Sequence, residues 1–348
     1  MSVDAPPARP SAASSGRAAL RASVGRFRVH RAFQPVAVAV ALFMALVVIP
    51  GALDSFWIAN FTQMALFSAL AASAGMLYGR VGLVSLGQVA PYGIGAWVTI
   101  RLSFATALPY PVLLLLGGLV AAALGVLIGL PALRVSGLYL ALVTLMLAAG
   151  TEILLGELKF PNGGSGFKGV VKKLGDIRAV RRPSIAKSDV AYYRFVVVGA
   201  FVLFMIAAFL LARKPGRAWA SIRQSEAAAL SAGVDVTRYK LLAFALASFM
   251  AGVAGGLFGG SIPKGMSTDA FNRQAAIFLI AAVIMGGIHS LWGAVLGGFF
   301  ATCLLKFLTQ NVVGHAFWTR FSLSLFGFGL LTNLIQSTKA AEKKGVSA

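Results

Sequence analysis

The sequence predicts an all-α, polytopic membrane protein with about ten membrane segments, including broken or re-entrant helices. Hydrophobic residues make up 58% of the 348 residues and charged residues only 12%, about half the share found in soluble domains. The mean hydropathy is +0.84. Apolar runs of about twenty residues recur along the chain, and a helix of that length crosses the roughly 30 Å hydrocarbon core of a bilayer.

The apolar runs define the predicted domains. A basic tail, residues 1–32, precedes a first apolar run from Phe33 to Ala52. This run is long enough to span, so we expect a retained helix and a cytoplasmic N-terminus rather than a cleaved signal peptide. A membrane domain is expected over 33–336, followed by a C-terminal tail, 337–348. Further apolar runs lie near 60–79, 84–106, 111–133, 138–156, 191–212, 239–261, 275–288, 291–310 and 317–336.

The region 275–310 is too long for one helix. Its apolar run is interrupted at Gly286-Gly287-Ile288-His289-Ser290. The sequence is equally compatible here with two full spans and with a re-entrant turn followed by one span.

The charge pattern predicts the topology. The chain carries 31 Lys and Arg against 10 Asp and Glu, a net charge of +21. The basic residues lie in the tail and between apolar runs, which is typical of the positive-inside rule and argues against nucleic-acid binding. Counting spans places Arg80, Arg134 and the loop 213–238 in the cytoplasm. The same count places the basic loop 157–190 outside, against the positive-inside rule, so either a span is miscounted or this loop has an external acidic partner.

Several motifs of enzymes and nucleotide-binding proteins are missing from the sequence. It has no Walker A motif, no H-E-x-x-H and no G-x-S-x-G, so we expect no ATP site, no metal site and no catalytic residues in this chain. Cys303 is the single cysteine, which excludes an intramolecular disulfide. We therefore expect that the protein is not an enzyme and binds no cofactor itself.

The stretch from Gly75 to Trp97 contains too many glycines for a regular helix. A break in a membrane helix is tolerated where the freed backbone groups face protein or a water-filled cavity, and transporters place substrate at such breaks. Ser85, Gln88 and Tyr92 are spaced to share one helical face. The alternative is a glycine-rich helix crossing with Gly75-x-x-x-Gly79 as the contact.

The next candidates lie in and after the run 138–156. Tyr139 and Thr144 precede Glu152, and an intramembrane carboxylate is a functional candidate. Glu152 could instead lie near the outer helix end and reach the headgroups. The following loop at Asn162, Gly163 and Gly164 could bind an anion or simply turn.

The sequence of the loop 213–238 predicts a short amphipathic helix that ends near Gly233. Its apolar side is predicted to contain Ala218, Ile222, Ala229 and Leu230, and its outward side Arg217, Arg223 and Glu226. Such a helix could lie on the membrane surface or bind a groove of a partner protein. After it, Gly252-x-x-x-Gly256-x-x-x-Gly260 predicts a face for close helix packing.

Together these stretches resemble the permease subunits of branched-chain amino acid ABC transporters, in particular the second of that system's two permeases. The segment from Gly82 to Ala96 resembles the signature G-x-x-S-L-G-x-x-x-x-x-G-x-G-A, and Gly137 to Ile153 resembles Y-x-A-x-x-T-L…E-I. Residues 163–166 fall where the family has T-G-G-x-x-G. Residues 216–241 are similar to G-R-A…I-R-x-x-E-x-A-A…G-[IV]-x-x-x-x-x-K-L, and 286–294 resemble G-G-x-G-S-x-x-G-[AP].

The resemblance implies the passive membrane subunit of an importer in the bacterial inner membrane. In this family two permeases pair, two cytoplasmic ATPase subunits hydrolyse ATP, and a periplasmic binding protein delivers substrate. The predicted translocation path comprises Ser85, Gln88, Tyr92, Tyr139, Thr144, Glu152, Asn162, Gly163 and Gly164. The predicted ATPase-coupling residues are Arg217, Ile222, Arg223, Glu226, Ala227, Ala228 and Gly233.

Three positions depart from the family pattern. Asn162 replaces the usual Thr, Pro91-Tyr92 replaces an aromatic pair, and His289 replaces the glycine of the G-G-x-G-S turn. Relatives carry urea, short amides or other small acids, so these solutes stay open beside branched-chain amino acids. A secondary transporter driven by an ion gradient, with Glu152 as the proton site, is the alternative mechanism.

Overall fold

The computed structural model describes residues 38, 40–52, 54–106, 108–133, 135, 137–158, 183, 186, 188–261, 271 and 273–304. Every regular element among these residues is helical, which confirms the all-α class. Residues up to Asp54 form one compact unit and residues from Ser55 onward form a second. In the first unit, an apolar helix runs over Val40–Gly51 and contains a π-helical turn, Met44–Val48. The beginning of the span predicted from Phe33 lies outside the described residues.

The second unit contains the membrane helices and two short helices between them. The helices are α1 (Ser55–Gly75), α2 (Val89–Ala105), α3 (Tyr110–Ala132), α4 (Leu138–Glu157), α5 (Asp189–Ala212), α6 (Lys214–Gln224), α7 (Glu226–Ser231), α8 (Val236–Ser261), α9 (Arg273–Gly286) and α10 (Leu291–Phe299). A π-helical turn, Met76–Val81, extends α1, and another, Phe300–Leu304, extends α10.

Among the described residues, five helices are long and apolar enough to cross a membrane: α1 with its π-helical end, α3, α4, α5 and α8. Helices α9 and α10 form a sixth apolar unit that bends by 120° at Gly287–Ser290. The predicted count of ten segments is not confirmed, and the predicted span 317–336 lies outside the described residues. Within the described residues 273–304 the chain forms a hairpin of two short helices, α9 and α10, whose tip we define as residues 287–290.

The core of the second unit is a crossing of α8 with α2 and α3. A Cβ atom at Gly252 would collide with Ala121, and one at Gly255 would collide with the carbonyl oxygen of Tyr92. A Cβ atom at Gly256 would collide with the side chain of Thr99. Because these positions of α8 carry no side chain, its backbone lies directly against the backbone or the short side chains of α2 and α3. The packing role predicted for the glycine ladder is confirmed.

The predicted break after α1 is also confirmed. Gly82 has a φ of +84°, a left-handed conformation that favours glycine. The chain then runs without helical structure to a turn at Gly87 and Gln88, and α2 begins at Val89. The prediction that Ser85, Gln88 and Tyr92 share one helical face is wrong, because Ser85 precedes the helix. Gly75 and Gly79 nevertheless face the hairpin at Val283 and Ile288, so a helix contact and a break coexist in this segment.

Three elements meet at one end of the second unit. The π-helical end of α1 contacts both α6 and the hairpin tip. Arg80 and the loop 213–238 therefore lie at the same end of the bundle, as the span count requires.

Candidate functional site

Thr144 connects the broken segment to α4. Its hydroxyl oxygen accepts a hydrogen bond from the N–H of Leu86 at 3.0 Å. The same hydroxyl lies 2.9 Å from the carbonyl oxygen of Leu140 and 3.0 Å from that of Ala141, to which it can donate. Ser85 accepts a hydrogen bond from the N–H of Gly87 at 3.4 Å. The non-helical backbone is thus held by side-chain hydroxyls instead of helical hydrogen bonds.

Gln88 is the least satisfied polar residue of this cluster. Its side chain is buried, and within the described part of the chain its Oε1 atom has no hydrogen-bond partner. A buried acceptor without a donor is costly. Its position beside a helix break makes it a candidate acceptor for a polar group of a solute.

Tyr92 supplies an apolar wall next to Gln88. Its ring centroid lies 5.6 Å from that of Phe258 and 5.5 Å from that of Phe271. All three rings are buried, as are Ser85, Gln88 and Thr144. The structure therefore brings four predicted path residues, Ser85, Gln88, Tyr92 and Thr144, into one buried region where polar atoms adjoin an aromatic cluster.

The remaining predicted path residues are not brought together with this cluster. Tyr139 is 75% exposed and shares an outer face of α4 with Met146 and Ile153. Glu152 is half-buried, near the end of the same helix. The predicted sites at Asn162, Gly163 and Gly164 lie outside the described residues. The assignment of all these residues to a path stays a prediction.

The predicted amphipathic helix is in fact two helices, α6 and α7. Ser225 is extended between them, and its hydroxyl accepts a hydrogen bond from the N–H of Ala228 at 3.3 Å, capping α7. Ala218, Ile222 and Ala229 are buried as predicted, but Leu230 is 60% exposed. The break at Ser225 ends the helical period of α6, so the predicted placement of Leu230 on the apolar side is wrong. The predicted coupling residues Arg217, Ala227, Ala228 and Gly233 are exposed.

Two contacts anchor α6 and α7 to the beginning of α8. The buried Trp219 donates a hydrogen bond from Nε1 to the carbonyl oxygen of Tyr239 at 2.8 Å. Lys240 Nζ lies 2.6 Å from Glu226 Oε1, with side chains 8% and 55% exposed. Glu226 therefore pairs within the chain and is not simply directed outward. Sequence reasoning missed Trp219, although its spacing from Ile222 would have placed both on one helical face.

Arg223 is exposed, as predicted, but its guanidinium also makes contacts within the chain that the sequence did not predict. Its Nη1 atom donates a hydrogen bond to the carbonyl oxygen of Gly79. Its Nη1 and Nη2 atoms lie 3.0 and 3.4 Å from Nδ1 and Nε2 of His289. Sequence reasoning noted His289 only as a departure from a glycine and missed this contact. The presence of His289 in place of the family's glycine was the feature of the sequence that could have indicated this contact.

A comparison with protein families matches residues 56–331 to the branched-chain amino acid transport system permease component. The chain belongs to this family. The permease is 32% identical over 256 residues to the high-affinity branched-chain amino acid transport system permease protein LivM of Salmonella typhimurium, and 31% identical to LivM of Escherichia coli. Each match covers 68% of this chain and 59% of the relative.

A third relative carries a different name. The autoinducer 2 import system permease protein LsrC of an Enterobacter species is 25% identical over 274 residues, which is 78% of this permease and 75% of the relative. No solved structure matches the permease. The relatives are transport permeases, and membership of the family does not by itself specify the solute.

Proposed function

We propose that this permease is the membrane subunit of an ATP-driven importer of the bacterial inner membrane. It translocates branched-chain amino acids or similar small solutes, and it is not itself an enzyme. Two separate cytoplasmic ATPase subunits supply the energy, a second permease subunit completes the pathway, and a periplasmic binding protein delivers the solute. The chain needs no bound cofactor for this role, since ATP is used by its partners.

The observation that carries the proposal is the exposed outer face of α6 and α7. These two helices connect the long helices α5 and α8, and their inner side chains are buried against the bundle. On the outer side Ala227, Ala228 and Leu230 are exposed together with Arg217. Small and apolar side chains beside a cation form a surface suited to a groove of a partner protein.

The cluster at the break supports a small solute with one polar end and one apolar end. Gln88 offers a buried acceptor, while Tyr92, Phe258 and Phe271 offer aromatic surface beside it. An ammonium group can donate to such an acceptor, and an aliphatic side chain can pack on the rings. These groups are buried, so transport requires an alternation of conformations that exposes them.

The outer face of α4 supports contact with lipid or with the second permease. Tyr139, Met146 and Ile153 lie seven residues apart and are all strongly exposed. Two turns of helix separate such positions, so their side chains follow one stripe. The basic loop 157–190, proposed to meet the binding protein, lies almost entirely outside the described residues.

The test is purification of the tagged permease in mild detergent from cells that contain its transport partners, followed by an ATPase assay of the eluate. We expect ATPase subunits to co-purify with the wild type and to be lost from Leu230→Asp, because a charge would enter the apolar docking surface. Thr237→Asp is the matched control, since Thr237 is exposed at the beginning of α8.

Reconstitution with the binding protein then tests the solute. Uptake of radiolabelled leucine should require ATP. The degree to which unlabelled urea or a short amide inhibits that uptake then shows which class of solute is preferred. A permease that elutes alone and takes up leucine with an ion gradient would instead favour the carrier with Glu152 as the proton site.

A further inference from the structure

We propose that Arg223 and His289 form a clasp that links the surface helix α6 to two breaks in the membrane helices. In this arrangement Arg223 is a positioning residue inside the chain and not a docking residue for the ATPase. The clasp passes movements of α6 and α7 to the broken end of α1 and to the hairpin tip. This inference rests on the proposed function and specifies how the surface helices act on the path.

The guanidinium of Arg223 contacts both breaks at once. It donates to the carbonyl oxygen of Gly79 in the π-helical end of α1, and its two terminal nitrogens face the two ring nitrogens of His289. His289 Nδ1 is also 3.4 Å from the oxygen of Gly79. Three elements that are distant in sequence therefore share one small polar cluster.

Three glycines near the clasp provide the space and the backbone turn that it requires. A Cβ atom at Gly79 would collide with the carbonyl oxygen of Ile288, so the tip reaches α1 only because this residue is glycine. At Gly82, a Cβ would lie 3.3 Å from Cγ of Arg223, and the aliphatic stem of the arginine packs there. Gly287, with a φ of +103°, forms the bend that presents His289.

The hydrogen-bonding chemistry of the two side chains restricts the clasp. The guanidinium of Arg223 carries donors and no acceptor, so it can hydrogen-bond only to a ring nitrogen of His289 that has a free lone pair. A neutral imidazole has one such nitrogen, so one of the two contacts at 3.0 and 3.4 Å is a hydrogen bond and the other is a close approach.

A small crevice adjoins the tip. Its volume is about 20 Å³, about the space of one water molecule, and it lies between the tip and the residues Gly75 and Arg80. The hydrogen bonds of Arg223 lie beside the close backbone contact of Gly79 with Ile288, so a shift of α6 would change both contacts of Arg223 together.

A structural experiment tests whether the clasp exists. Hydrogen–deuterium exchange of the detergent-purified permease should show faster exchange of the backbone amides of 287–293 in Arg223→Ala, by about tenfold for one lost charged hydrogen bond. Gln224→Ala is the matched control, since Gln224 is exposed on the same helix and has no part in the docking surface, and it should leave exchange unchanged. Unchanged exchange in Arg223→Ala would overturn the proposal whatever the fate of the importer.

A functional experiment tests whether the clasp couples. In the reconstituted complex, Arg223→Ala and His289→Ala should each lower leucine uptake per ATP about tenfold while the ATPase subunits still co-purify. The double variant should be no worse than the more affected single variant, because both remove one interaction. His289→Gln, whose amide oxygen can accept from Arg223, should restore part of the coupling. Loss of the ATPase subunits from Arg223→Ala would make Arg223 a docking residue and contradict the clasp, while leaving the importer function intact.

Discussion

Glycine serves opposite purposes in two regions of this permease. In the crossing of α8 with α2 and α3, Gly252 and Gly255 lie within a regular helix and allow backbones to touch. At the end formed by α1, α6 and the hairpin tip, Gly82 and Gly287 have positive φ values and interrupt helices. In the first region the close backbone contacts lie inside regular helices. In the second they lie at the breaks, where hydrogen bonds of Arg223, His289 and Ser290 replace part of the helical bonding.

The difference teaches where this fold resists change and where it can move. Contact between backbones has no soft side chain that could give way, so the crossing behaves as one rigid unit. The breaks lack helical hydrogen bonds and are fixed by side chains that can exchange partners. Four substitutions test this contrast, ordered from the largest expected effect to the smallest.

Gly255→Ala should be the most damaging. The added methyl group would collide with the carbonyl oxygen of Tyr92, and the helices would have to separate. Overpacking of this kind costs about 3 kcal/mol or more when only backbone can yield. Thermal unfolding in detergent, followed by circular dichroism, should show a clearly lowered midpoint. A wild-type midpoint would mean that the crossing is not rigid.

Glu226→Gln should cost about 1–2 kcal/mol, because the buried Lys240 would keep its charge and lose its ionic partner. The cost is limited by the exposure of Glu226, 55% of its side chain. Lys240→Met should be nearly neutral, since the remaining carboxylate is reached by water. The same unfolding assay compares the two variants, and a larger loss for Lys240→Met would contradict this account.

Thr144→Val should destabilise the broken segment by about 1 kcal/mol and reduce leucine uptake, because the N–H of Leu86 loses its acceptor. Thr151→Val is the matched control. The hydroxyl of Thr151 bonds the carbonyl oxygen of Ala148 in its own helix, so its loss leaves no other segment unpaired. Equal uptake by both variants would show that the link between α4 and the break does not matter for transport.

Gly150→Ala should have the smallest effect and the opposite sign from Gly255→Ala. The position lies inside α4, and a Cβ there would meet nothing within 4 Å. Replacing glycine by alanine in a helix interior then adds about 0.5–1 kcal/mol of stability. A lowered unfolding midpoint would indicate that this face of α4 packs against another protein.

The sequence predicted the helical class, the break after α1 and the glycine ladder, because each depends on composition or spacing along the chain. It did not predict the interruption at Ser225, because a polar residue in an amphipathic stretch can equally lie on the polar face of one continuous helix. The interruption changes the face on which later side chains lie, and the prediction for Leu230 was therefore wrong. The contacts of Arg223 with Gly79 and His289 were also beyond it. They join residues 144 and 66 positions apart, and only the tertiary fold brings such residues together.

The short helix α9 has a consequence for the surrounding lipid. Its 14 residues span about 21 Å at 1.5 Å per residue, less than the roughly 30 Å of an average hydrocarbon core. We expect the bilayer to thin beside the helix, because this is one way in which a segment shorter than the hydrocarbon core is accommodated. The free energy of the hairpin in the membrane should therefore depend on the acyl-chain length of the lipid. We expect vesicles of shorter-chain phospholipids to support faster transport than vesicles of longer-chain ones.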